Sequence, residues 1–297
     1  MLSKRRACPF SIQCLQASRW FHDPLIFSAF EAKHYWSRAE GRRAVIRQVP
    51  YCGAAPLPGE LLTRFNLDPL LILALGVLCV CQLIALRKHQ TDGDGHYRVY
   101  AVGGWLVASA ALLSPLCALS VALFSARLAQ HMILILAAAP LIAVGLPRAQ
   151  VSPRSWPLWG TTAIFFLALW FWHMPRPYDA TFTSVNVYWI MHITLFGTSI
   201  LLWRELLYHS PRRTAQVLAA GTLTFVHMGL LGVVLTFAQR PMFQWHFLTT
   251  TAWGLTPLQD QQLGGTLMWV PGIVLFLWTA IRSIVRAWRS IERERPA

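Results

Sequence analysis

Seven stretches of this chain are long, apolar and poor in charge, and are candidates to cross a lipid bilayer: Pro69–Leu86, Val99–Leu113, Leu116–Leu146, Trp156–His173, Val185–Trp203, Thr214–Ala238 and Gly264–Val285. A helix needs about 20 predominantly apolar residues to cross the hydrocarbon core, and in lipid only helices and closed barrels satisfy their own backbone. The expectation is an all-α, polytopic integral membrane protein, a bundle of seven transmembrane helices. Punctuation between the runs agrees: Asp92-Gly93-Asp94-Gly95, Ser114-Pro115, Pro147-Arg148, Pro175-Arg176-Pro177 and Pro211-Arg212-Arg213 are turn or charge signals. The third run is long for one span, so its first part, to about Ser125, reads as a separate short helix at the interface. Pro140 and Pro271 fall inside runs and predict kinks that neighbouring helices absorb.

Charge supplies orientation. The net charge is +14, which in a soluble chain would suggest nucleic acid. Here Lys is scarce and no basic helix or known motif is present, so no nucleic-acid partner is expected. With the first span starting outside, the inner segments 87–98, 147–155, 204–213 and the tail from Arg282 hold 13 Lys or Arg residues, against four on the other side, Arg64, Arg127, Arg176 and Arg240. That bias predicts an outer N-terminal side and a cytoplasmic C-terminus. Three regions follow: a basic extension over 1–50, the membrane domain over 51–285, and a basic tail over 286–297. The extension lacks an apolar core after Lys4-Arg5-Arg6, so it is not a secretory signal. A disordered or artefactual extension is expected there, with an Arg-rich transit peptide as the alternative.

Ionisable groups inside spans are costly and point to function. Arg127 and His131 stand four residues apart and share a helix face. His173 closes the fourth run, His192 lies about two turns into the fifth, and His227 sits near the middle of the sixth. Histidine abuts methionine four times, at His131-Met132, His173-Met174, Met191-His192 and His227-Met228. Imidazole and thioether both suit copper, although neighbours on a helix point about 100° apart. The plainer reading is packing methionines and interhelical hydrogen bonders. Asp68, Asp179 and Asp260 fall at the expected outer surface, the last within Gln259-Asp260-Gln261-Gln262. Of the cysteines, Cys79 and Cys81 point to opposite faces and read as buried apolar residues, while Cys52 is open between a free thiol, a disulfide partner and a metal ligand. Gly103-Gly104 and Gly264-Gly265 read as close helix packing.

Several motifs carry a resemblance. Phe124 to Leu134, with Arg127, Gln130 and His131, and its continuation to Pro147 are similar to the third-helix motif of the seven-helix CtaG family of cytochrome c oxidase assembly factors. Trp172-His173-Met174-Pro175 with Tyr178-Asp179 resembles that family's Trp-His-x-Pro-x-x-Tyr-Asp element. Leu235 to Pro241 matches too, as does Leu258-Gln259-Asp260-Gln261-Gln262-Leu263-Gly264-Gly265 through Met268-Trp269-Val270-Pro271-Gly272. The resemblance implies a bacterial inner-membrane factor, not an enzyme, that assists copper delivery to a haem–copper oxidase subunit, with a periplasmic copper donor as a further partner. It implies metal ligands at His131, His173, His192 and Asp260, with His227, Met132 and Asp179 more weakly, and functional roles for Arg127, Gln130, Tyr178, Gln261 and Gln262. Arg127 departs from the resemblance, since many members of that family carry a second histidine there. A copper permease and a di-haem b oxidoreductase pairing His131 with His227 are the alternatives.

Overall fold

The computed structural model describes residues 49–89, 95–146 and 156–294. The 1–48 extension, the Asp92–Asp94 turn, Arg148, Arg154 and Arg295 lie outside the described residues. Nine helices carry the described fold: α1 (Pro69–His89), α2 (Gly95–Leu113), α3 (Pro115–Ala122), α4 (Phe124–Val144), α5 (Trp156–Trp172), α6 (Pro175–Thr183), α7 (Val185–Leu207), α8 (Thr214–Thr236) and α9 (Pro257–Glu294). Short 3₁₀ turns connect some of them, and no strand occurs among the described residues.

Five of these helices, α1, α4, α7, α8 and α9, are long and apolar enough to cross a membrane. The count is six if α2 and α3, bent by 49° at Ser114-Pro115, make one span, while α5 is apolar but shorter. The short helix expected ahead of α4 is α3. Ser114 caps it by accepting from the Leu116 N–H at 3.3 Å, Pro115 begins it, and extended backbone at Leu123 separates it from α4. The last helix runs unbroken through Pro271, and residues 286–294, read as tail, continue it.

α4 is the hub, with 67% of its most apolar stretch buried against 22% for α1. It packs between α7 and α9, α8 packs on α9 and α5, and α5 packs on α7. These contacts close a five-helix ring, and α2 flanks α4 with α1 outside it. Pro140 has no N–H for Leu136, and its ring crowds that carbonyl. One turn earlier the helix widens into a π-helical segment, Ile133–Ala138, which opens the ladder before the proline arrives. The Trp203 indole on α7 donates to the Ile135 carbonyl at 2.7 Å, so a displaced backbone group finds a partner from the next helix.

Small residues set the closest crossings. A Cβ added at Gly265 would meet Thr236 Oγ1 at 2.5 Å and the Gly232 carbonyl at 2.7 Å, and one at Gly264 would meet the Phe124 ring at 2.7 Å. The Gly264-Gly265 pair therefore seats α9 against α8 on one side and α4 on the other. Gly104 does the same for α2, a Cβ there meeting Ile142 at 2.6 Å, whereas Gly103 has nothing within 4 Å. Only one glycine of that expected packing pair makes a close crossing. The outermost helix is pinned by one polar residue. Gln82 on α1 donates to the Ile142 carbonyl at 3.0 Å and accepts from the Trp105 indole at 2.7 Å.

Candidate functional site

The end of the bundle where α4, α7 and α9 begin brings three imidazoles together. His131 lies seven residues into α4 and His192 seven residues into α7, so each sits about 10 Å below its helix start. His173 is the first residue beyond α5. The His131 ring centroid is 5.9 Å from that of His173 and 5.5 Å from that of His192, and all three side chains are buried.

Their hydrogen bonds leave a consistent pattern. His173 Nδ1 faces the Leu169 carbonyl at 2.6 Å, and His192 Nδ1 faces the Tyr188 carbonyl at 3.0 Å. A carbonyl only accepts, so each Nδ1 carries the proton and each Nε2 of the neutral ring keeps a lone pair. Those two Nε2 atoms, and both nitrogens of His131, have no hydrogen-bond partner. Anchoring Nδ1 on a backbone carbonyl is also how metal-ligating histidines are commonly oriented. Two imidazoles sharing one ion through bonds of about 2.0 Å place their centroids roughly 5–6 Å apart. A cavity of about 10 Å³ touches His131 and His192, about the room one water needs. Among the described residues no group of three or more His, Cys, Asp or Glu side chains is placed to hold a metal ion. The nitrogens are soft-ion donors in chemistry, and the His131–His173 and His131–His192 pairs are suitably spaced, but the three rings are not arranged to hold an ion as they stand.

Arg127 stands one turn above His131, 1% exposed. Its NH1 donates to Thr181 Oγ1 at 2.8 Å. The guanidinium carbon lies 4.1 Å from the Phe182 ring centroid and 5.6 Å from those of Tyr178 and Tyr188. Its Nε is unpartnered, and no carboxylate bonds it among the described residues.

Three segments roof this layer. In α6, Tyr178 donates its hydroxyl to His246 Nε2 at 2.8 Å, and His246 Nδ1 in turn faces the Ala122 carbonyl at 3.3 Å. Burial first, then the nearby Arg127 charge, pushes the His246 pKa down to about 3, so this ring stays neutral. The loop that carries His246 also stacks Trp245 on Phe182, centroids 4.5 Å apart. At the N-terminal edge, Tyr51 stacks on Tyr188 at 4.8 Å, and Cys52 forms a disulfide with Cys117 of α3, Cα atoms 5.5 Å apart. The Tyr188 hydroxyl lies 3.4 Å from Cys52 Sγ, and the Tyr188 ring is 4.2 Å from that of His192. The disulfide resolves the three readings left open for Cys52.

The other sequence candidates sit elsewhere. Asp260, expected among the ligands, caps α4 instead: it accepts from the Phe124 N–H at 2.6 Å, the Ser125 N–H at 3.0 Å and the Ser125 hydroxyl at 2.5 Å. Leu123, at the cap position, has no side-chain acceptor of its own, so a carboxylate from α9 supplies one and both its oxygens are taken. Gln261 accepts from the Met242 N–H at 2.7 Å, and Gln262 donates to the Ala238 carbonyl at 3.2 Å, tying α9 to the loop after α8. Gln130 donates to the Ala111 carbonyl at 2.8 Å. Asp179 faces the 244–245 backbone, and burial raises its pKa to about 6 against the pull of those N–H groups. His227 lies against Phe166, centroids 4.2 Å apart, and Met132 packs in the apolar core. Sequence reasoning passed over His246, Tyr188 and Thr181. Burial within spans was the signal followed, and His246 falls in a gap between spans.

Residues 77–290 match a family model described as cytochrome c oxidase caa3 assembly factor (Caa3_CtaG). The chain matches no curated protein and no solved structure.

Proposed function

Because the chain belongs to the cytochrome c oxidase caa3 assembly factor family, we propose that it holds a copper ion between His131, His173 and His192 and passes it to the catalytic subunit of the oxidase. The observation that carries this reading is the set of buried, unpartnered imidazole nitrogens gathered around His131, two of them on rings tethered through Nδ1. Copper here is cargo, and neutral nitrogen donors without a carboxylate hold a cation loosely enough to release it. Asp260 has no place in this ligand set, since its oxygens are spent on α4.

The protein is read as a non-catalytic factor of the bacterial inner membrane, with seven spans when α2 with α3 and α5 are counted. Two independent features support a periplasmic position for the histidine end. Disulfides persist in oxidising compartments, and Cys52–Cys117 lies at this end. The opposite end carries Arg87, Lys88, Arg98, Arg204, Arg282 and Arg286, as cytoplasmic ends do. A periplasmic donor would then supply the ion, and a subunit docked in the bilayer would receive it.

The test is metal retention by purified full-length protein after anaerobic Cu(I) loading. About one copper per chain is expected for three donors around one soft ion, with most of it lost in His131→Ala and His173→Ala. A wild-type protein that retains no copper, or histidine variants that retain as much as wild type, overturns the reading. Uptake of copper into sealed vesicles would instead favour a permease.

A further inference from the structure

A second feature lies at the opposite end of the bundle and is independent of the histidine layer. A cleft of about 1270 Å³ opens between α2, α4, α7 and α9, larger than the roughly 300–1,000 Å³ of ordinary small-molecule pockets. Its walls are apolar, with Leu136, Leu141, Val144 and Leu275 among them, and Arg282 and Arg286 stand at its mouth. Val274 and Trp278 on its α9 side are 68% and 53% exposed, so the cleft faces the surroundings of the bundle rather than an enclosed interior.

The two arginines are arranged unusually. They lie one turn apart on the same helix, and both give NH1 to one acceptor, the Leu207 carbonyl at the end of α7, at 3.2 and 3.1 Å. Like charges at this spacing repel. No carboxylate pairs with either among the described residues, whose ion pairs are Arg64–Glu60 and Arg213–Glu205. The neighbouring His209 adds no further positive charge. Burial, then the Arg286 and Arg282 charges, lowers its pKa to about 4, which leaves it neutral.

Length bears on which anion these two arginines would suit. From Val274 to Arg286 is twelve residues, about 18 Å along the helix, close to the half-thickness of a hydrocarbon core of about 30 Å plus a headgroup. Trp278 lies one turn below Arg282, as in the aromatic belt of membrane proteins. We propose that this cleft is a binding site for one anionic phospholipid, its phosphate held between Arg282 and Arg286 and one acyl chain lying along Leu275, Leu136 and Leu141. A free phosphate would use the arginines and leave the apolar walls idle.

The experiment is native mass spectrometry of the delipidated full-length protein titrated with dioleoyl phosphatidylglycerol or dioleoyl phosphatidylcholine. Wild type is expected to retain phosphatidylglycerol preferentially. Neutralising both charges in Arg282→Gln/Arg286→Gln should weaken that binding about tenfold or more, while Arg282→Lys/Arg286→Lys retains it. Ala137→Trp, which places a bulky ring in the path of the acyl chain and keeps both charges, should also lose the lipid, and it reads the site if the glutamine pair does not fold. Equal retention of the two lipids, undiminished binding in the glutamine or tryptophan variant, or full displacement by millimolar inorganic phosphate overturns the proposal.

Discussion

A buried guanidinium without an acid is costly in a low-dielectric interior, and Arg127 is held by one hydroxyl and three aromatic faces instead. Its charge lies one turn from His131, so any cation in the histidine layer meets a fixed like charge. At an effective dielectric of about 20, two unit charges about 7 Å apart repel by roughly 2 kcal/mol, about thirtyfold in affinity. Arg127→Gln is therefore expected to hold Cu(I) more tightly than wild type and to release it more slowly to an acceptor, with Arg127→Lys close to wild type. Competition against a Cu(I) chelator reads the affinity. An unchanged or weaker affinity in a folded glutamine variant would leave Arg127 with a packing role alone. The arginine itself was visible in the sequence as a charge inside an apolar run. The aromatic box around it was not, because Tyr178, Phe182 and Tyr188 come from two other helices.

Among the helices, two glycines set the spacing on which the site depends. A side chain at Gly265 would meet the backbone of α8 and must push that helix away, and one at Gly264 would displace the Phe124 ring of α4. Overpacking of this kind costs about 1–3 kcal/mol. Gly265→Val should lower the melting temperature in detergent and weaken copper retention together, since α9 also delivers Asp260 to the start of α4. Gly103→Ala, which meets nothing, should leave both unchanged. Equal melting curves for the two variants would contradict the close-crossing account. The sequence marked these glycines as packing sites through their place in an apolar run. It did not say which neighbour each would touch. Asp260 was expected as a ligand through the family resemblance, whereas a carboxylate beside a span can also serve a helix N-terminus, as it does here.

For the molecule as a whole, the prediction is directional. A reporter that is active only in the cytoplasm should be active when fused after Ala297, and Cys52–Cys117 should be oxidised in cells and resist alkylation until a reductant is added. A silent C-terminal reporter, or freely alkylated Cys52 and Cys117 in intact cells, would reverse the orientation and place the histidine layer on the wrong side for a periplasmic donor. Sequence alone determined the membrane class, the approximate helix positions, the charge asymmetry and the identity of the histidines, because hydropathy, Pro/Gly punctuation and residue chemistry are local properties. Only the tertiary structure decided that His131, His173 and His192 meet while His227 turns to Phe166, that Asp260 caps a helix, and that Cys52 closes on Cys117. Each of those depends on the rotation and crossing of helices distant in the chain, which packing sets and no single segment encodes.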